Sequence, residues 1–233
     1  MDLDHTESMN KICPSVYRAA IKLLSLQRLC NMDVVFVRHI MAAFQVGGET
    51  HQPQDIMMNR DEVGHVLNRM FLRISQEVAG SVTAGDQEEL CSLMFRLFER
   101  SETGCVSSRS LQMALIALSA DNLLGKYRSL VRVSGNTSRS VSRSGLRSML
   151  QDLSQVPAAV QEEGVFGSVE AAVRSCFNEV PTPMVSKEHV LSWLQSEPRL
   201  LLWLPTLYRL SASQTISHAV RCHTCKTFPI TGL

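Results

Sequence analysis

Two prolines frame the stretch that most limits how this chain can fold: Glu197-Pro198-Arg199-Leu200-Leu201-Leu202-Trp203-Leu204-Pro205-Thr206-Leu207-Tyr208-Arg209-Leu210. Proline is tolerated at the first helical position, where its missing N–H would be unbonded anyway, so Pro198 predicts a helix start. Leu200 to Leu204 is apolar on every side, and a segment this short falls far below the roughly 20 residues of a membrane span. Other helices must therefore wrap it, with Trp203 and Leu204 in a core. Aromatic and arginine side chains dominate interface hot spots, which makes Trp203, Tyr208 and Arg209 the candidate partner-binding residues. Further on, Cys222-His223-Thr224-Cys225 has the spacing that lets two thiolates meet one tetrahedral zinc, so Cys222 and Cys225 are the candidate metal ligands.

The 233 residues are 45% hydrophobic, enough for one or two cores. A net charge of +1, with no block of one sign, gives no electrostatic footprint for nucleic acid. The acidic start Met1-Asp2-Leu3-Asp4-His5 lacks the pattern of a signal peptide, and no apolar run approaches membrane-spanning length. The expectation is a cytosolic chain without a transmembrane segment. Cys13, Cys30, Cys91, Cys105 and Cys176 sit inside apolar patterns and read as reduced thiols.

The periodicity is helical throughout. Tyr17, Ala20, Ile21 and Leu24 form a first stripe ending near Leu29, and Val34, Val37, Met41 and Phe44 a second ending at Gly47-Gly48. Val63, Leu67, Met70, Phe71 and Ile74 form a third, and Leu90, Leu93, Met94, Leu97 and Phe98 a fourth. Later stripes carry Leu111, Leu115 and Leu118; Leu124, Tyr127, Leu130 and Val131, with Asp121 as expected cap; Leu146, Met149, Leu150 and Leu153; Val169, Val173, Cys176 and Phe177; and Val190, Leu191 and Leu194.

Between stripes lie segments with the skeleton of an EF-hand loop. Counted from Glu99, glycine falls sixth (Gly104) and a β-branched residue eighth (Val106), where the fold needs a sharp turn and a strand contact with a partner loop. The twelfth residue, which should be a bidentate glutamate, is Ser110. Counting back from Gly145 puts Val141 eighth in a serine- and arginine-rich stretch, and Asn178 to His189 puts Val185 eighth and His189 twelfth. Ser110, Gly145 and His189 cannot close a six- or seven-oxygen cage, so the loops read as kept for shape, and calcium as a poor fit. The Arg-Ser alternation from Arg139 to Ser144 is a solvated loop or a phosphorylation target. No glycine-rich phosphate loop or serine elbow is present, and adjacent Cys222 and His223 do not face one another as nucleophile and base; the chain offers no catalytic or cofactor-binding residue.

Ser15-Val16-Tyr17-Arg18-Ala19-Ala20-Ile21-Lys22-Leu23, Lys126-Tyr127-Arg128, Ala172-Val173-Arg174-Ser175-Cys176-Phe177 and Trp203 to Leu210 together resemble the dystrophin and dystrobrevin family, over nearly the whole chain. The resemblance implies an all-α fold: two tandem degenerate EF-hand-like helical domains, at 1–119 and 120–212, followed at 213–233 by a linker and the truncated start of a ZZ-type zinc finger. Cys222 and Cys225 match zinc-ligand positions of that finger, as a half site. The resemblance further implies a non-catalytic adaptor, peripheral at the plasma membrane, with partners of the dystrophin-associated type such as a membrane-receptor tail or a sister subunit. The family's WW module is not found here. The competing reading is a calcium-sensing EF-hand protein.

Overall fold

The computed structural model describes residues 14–45, 55–77, 84–98, 104–135, 140–178, 180–215, 217–218 and 230–231. Among these, the helices are α1 (Ser15–Leu29), α2 (Val37–Phe44), α3 (Arg60–Glu77), α4 (Ala84–Phe98), α5 (Ser108–Leu118), α6 (Leu123–Ser134), α7 (Arg143–Gln155), α8 (Val169–Cys176), α9 (Lys187–Gln195) and α10 (Trp203–Thr215). Short 3₁₀ turns at Pro157–Val160 and Arg199–Leu201 join them. The strands are β1 (Met57–Met58), β2 (Val106–Ser107), β3 (Ser140–Ser142), β4 (Met184–Ser186), β5 (Ser217–His218) and β6 (Ile230–Thr231). They pair antiparallel as β1 with β2, β3 with β4 and β5 with β6.

The first two ladders are the contacts expected of paired EF loops. Met58 lies opposite Val106, and Val141 lies opposite Val185. All four are buried, so each pair of loops shares an apolar bridge that fixes the helices entering and leaving it.

Three helix ends are bent inward by residues with left-handed backbone. Asn31 (φ 51°) closes α1 with the two bonds of a Schellman motif, Met32 N–H to Gln27 O at 2.8 Å and Asn31 N–H to Arg28 O at 3.0 Å. Gln161 (φ 61°) repeats the motif after α7, with Glu162 N–H donating to Pro157 O at 3.0 Å and Gln161 N–H to Ala158 O at 3.1 Å. Glu197 (φ 55°) follows α9, and Pro198, which cannot continue a helix, makes the stop complete. Pro198 caps the 3₁₀ turn, and the α-helix begins only at Trp203, later than the sequence suggested. Asp121 is not the cap of α6 either: Asn122 Oδ1 accepts from Gly125 N–H at 2.8 Å, while Asp121 accepts from Val37 N–H.

The buried apolar residues form one continuous cluster across both halves of the chain. Leu200, Leu201, Trp203, Leu204 and Leu207 are buried, as an all-round apolar segment requires. The chief neighbour of α10, however, is α1, so the last long helix packs on the first instead of closing only the second half, while the 3₁₀ turn before it packs on α7 and α8. The chain between α5 and α6 is bound in place as well. Gln27 Nε2 donates to Leu118 O at 2.9 Å, and Ala120 N–H donates to Val35 O at 2.7 Å.

A buried charge cluster completes this joint. Glu162 accepts from Arg18 Nε at 2.6 Å, from Arg18 Nη2 at 2.9 Å and from Lys22 Nζ at 2.7 Å, with Glu162 and Lys22 only 3% and 2% exposed. Burial pushes the Glu162 carboxyl up, but the hydrogen bonds and charges of Arg18 and Lys22 outweigh it and hold the group below its ordinary value. Glu162→Gln should therefore cost about 3 to 5 kcal/mol in urea unfolding, because it strands the Lys22 ammonium in the core. A carboxylate with a depressed folded value stabilises fully above its unfolded value. The wild-type advantage over Glu162→Gln should thus hold above pH 4.5 and shrink as pH falls through the lower folded value.

Candidate functional site

Four EF-type loops meet in two pairs, and the geometry of each twelfth position shows what it can do chemically. Ser107, Ser142 and Ser186 stand ninth in their loops and cap the exit helices, each Oγ accepting from the N–H of the twelfth residue. The bonds are Ser110 N–H at 3.2 Å, Gly145 N–H at 3.0 Å and His189 N–H at 3.1 Å. A fourth loop, missed by sequence reasoning, precedes α3. Met58 is its eighth residue, and Glu62 is twelfth.

Glu62 is the carboxylate that the other loops lack, yet it is engaged in a capping box. Asn59 Oδ1 accepts from Glu62 N–H at 3.0 Å while Glu62 Oε2 accepts from Asn59 N–H at 2.8 Å. Asp55, fifth in the same loop, turns across the ladder and accepts from Ser107 Oγ at 2.6 Å and from Arg109 N–H at 3.2 Å. The spacing Asn59-x-x-Glu62 behind Met57-Met58 was the available signal for this loop.

The remaining twelfth positions are shaped against a metal ligand. A Cβ on Gly145 would lie 3.2 Å from Ser134 O and 3.2 Å from Ser142 Oγ, so a glutamate there must displace its surroundings. His189 Nε2 donates to Cys176 O at 2.7 Å and ties the loop back to the end of α8. Among the described residues, the sixth position keeps the expected turn in the Glu99–Ser110 loop, with Gly104 at φ 63°. Among the described residues no group of three or more His, Cys, Asp or Glu is placed to hold a metal ion.

The proposed partner residues separate on the structure. Trp203 is fully buried, so it supports a surface from beneath and cannot itself touch a partner. Tyr208 is half-buried and Arg209 exposed. Arg209 holds both carboxylate oxygens of Glu197, Nη1 lying 3.2 Å from Oε2, and that hydrogen bond raises the guanidinium pKa further. Beneath this pair sits Tyr127, whose buried hydroxyl has no hydrogen-bond partner and is pushed up to about 12 by burial first and by the Glu197 charge second. Cys222 and Cys225 lie outside the described residues, as does Cys13; Cys30, Cys91, Cys105 and Cys176 form no disulfide. The described backbone on either side of the zinc-ligand pair joins as β5 and β6.

Ladders with capped exit helices define an EF-hand protein whose loops are closed by hydrogen bonds. An EF hand family model matches residues 2–119 and an EF-hand model residues 123–211. The chain is 47% identical to dystrotelin of Danio rerio across its whole length, covering 37% of that protein, and 37% identical to dystrotelin of Homo sapiens, covering 41%. It is 28% identical over 96% of its length to dystrophin, isoform B, of Drosophila melanogaster, of which it covers 14%. The chain belongs to the EF-hand family, as a dystrophin-type EF-hand region related to the dystrotelins. It spans roughly two-fifths of the length of those dystrotelins.

If the serine caps replace ligand bonds as the closure of the loops, Ser142→Ala and Ser186→Ala should each cost about 1 kcal/mol in chemical unfolding. The check is that the losses are the same with calcium or with chelator present.

Proposed function

We propose that the chain is the EF-hand part of a non-catalytic, dystrophin-type adaptor that binds protein partners at the cytoplasmic face of the plasma membrane. The observation that carries this reading is the conversion of the loops. Among the described residues, loop positions that could serve calcium are spent on helix caps and cross-loop hydrogen bonds, which suits a helical body that presents surfaces. In this proposal a receptor tail or a sister subunit holds the chain at the membrane; among the described residues no helix is long and apolar enough to cross one.

Zinc belongs to the same proposal. Cys222 and Cys225 would hold it in a ZZ-type finger, where it supplies folding energy and no chemistry. Two thiolates are half of a closed tetrahedral shell, so this chain alone should lose zinc on dialysis against a chelator. Supplying the further ligands of a complete finger should give stoichiometric retention.

Calcium does not fit. Binding at Glu62 would have to break its capping bonds and free Asp55 from the neighbouring loop. Millimolar calcium should leave the melting temperature of the chain unchanged, since a ligand selective for the folded state must raise it by mass action. A rise of several degrees that disappears in Glu62→Gln would favour the calcium-sensing reading instead.

The partner surface is tested on Tyr208 and Arg209, with a receptor-tail peptide and a dystrobrevin-type subunit as bait. Arg209→Ala removes an exposed ion pair, worth at most about 1 kcal/mol of stability, yet should weaken capture about tenfold or more. Trp203→Ala should instead cost about 3 to 5 kcal/mol of folding stability. Capture untouched by both Tyr208→Ala and Arg209→Ala places the partner surface elsewhere.

A further inference from the structure

Lys126 is an anomaly in this fold. Its side chain is 2% exposed, and its Nζ donates to Ala117 O at 2.8 Å, with no salt bridge. An ammonium carries three donors, so the charged form would leave N–H groups unpaired in the core. A neutral amine suits the site far better. The ionised group whose charge acts on it is Asp121, which accepts from Val37 N–H through Oδ2. The contact spans the link between α5 and α6, where the first EF pair hands over to the second.

Among the described residues, the elements packed on α6 place no anion in a salt bridge with Lys126: Glu188 in the first turn of α9 is exposed, and Glu197, whose charge reaches Tyr127, is held by Arg209. On α2, Arg38 and His39 engage Glu77 of α3, and neither is negative. On α9, Lys187 lies against Gly135 at the far end of α6, and His189 is tied to Cys176 O. On α7, Arg143 stacks 4.4 Å from the Phe177 ring centroid and Arg147 pairs with Glu170, while Asp152 is buried and already engaged. Arg109 lies in the first turn of α5, a whole helix away from Ala117. Arg128 and Arg132 of α6 itself are exposed.

We propose that Lys126 is a proton-operated joint between the two EF pairs: the neutral amine holds α6 on the end of α5, and its protonation loosens that link. Burial, partly opposed by the Asp121 charge, brings the lysine down to about 7. The sign follows from linkage. Below the folded value both states are charged and the folded state carries the whole burial cost. Between about 7 and the ordinary 10.5 only the unfolded state keeps the proton, so stability rises with pH across that window.

The test uses the whole chain and Lys126→Met, which keeps the buried stem and removes the charge. The folding constant of wild type should climb by up to about tenfold per pH unit above pH 7, a slope that Lys126→Met flattens. Hydrogen exchange corrected for intrinsic rates should show residues 117–130 losing protection ahead of the α3–α4 pair as pH drops from 9 to 6. Parallel wild-type and Lys126→Met slopes, or loss of protection spread evenly over the core, would overturn the proposal. Should Lys126→Met fail to fold, a carbon NMR titration of the wild-type Lys126 side chain decides: a midpoint near neutrality supports the joint, and one near the ordinary lysine value sinks it.

Discussion

The buried carboxylate of Glu162 is the constraint on which the arrangement of the two halves depends. Three hydrogen bonds from Arg18 and Lys22 converge on it. The geometry is demanding, because a carboxylate taken out of water is tolerated only with near-complete compensation. Gln161 supplies the geometry by adopting left-handed backbone, which turns Glu162 back under the 3₁₀ turn and toward α1. A non-glycine residue in that region is mildly strained, and the ion cluster offsets the strain. Since α10 also packs on α1, the first helix is held at two places by the second half. An apolar contact alone would leave rotation of one half on the other cheaper; the charge cluster sets one orientation.

The described parts of the loops show how hydrogen bonds can hold an EF-hand scaffold in shape. A calcium ion organises such a loop by drawing its oxygens inward and freezing the start of the exit helix. Here a serine or asparagine in the ninth position freezes the same turn with one neutral bond, and the β-ladder beside it fixes the register. Neutral caps are weaker than ion coordination but do not depend on ligand concentration.

Much of this architecture was legible in the sequence, and the misses share one cause. The stripes of α3 and α4 were read correctly because their buried faces are apolar, and those of α5 and α7 because apolar residues dominate them despite buried Gln112 and Asp152. On α1 the reading drifted: Tyr17 is 49% exposed, while Lys22 and Gln27 are buried. Periodicity places a lysine in water unless its partner is known, and Glu162 lies 140 residues away. Lys126 was hidden in the same way, and the placement of Asp121 depends on a backbone N–H in α2 that no local rule indicates. The loop ending at Glu62 escaped notice because it has no glycine in the sixth position, where Ile56 stands. Tertiary partners overrode propensity wherever a polar group was buried, and nothing in the spacing marks those partners.

The position of α10 has a consequence for how any partner would be recognised. It packs on α1 and buries Trp203, Leu204 and Leu207, and Glu197, a residue in left-handed backbone ahead of the 3₁₀ turn, is held by Arg209. Arg209 thus has two roles open to it, clasping Glu197 or meeting an acidic group from outside. An exposed ion pair contributes little to stability, so exchanging one carboxylate for another across Arg209 is nearly cost-free in folding energy. Tyr127, buried below with an unpaired hydroxyl, lies in the field of both charges and so links that surface to α6. A partner that drew Arg209 away from Glu197 would remove the restraint on the left-handed turn between α9 and α10.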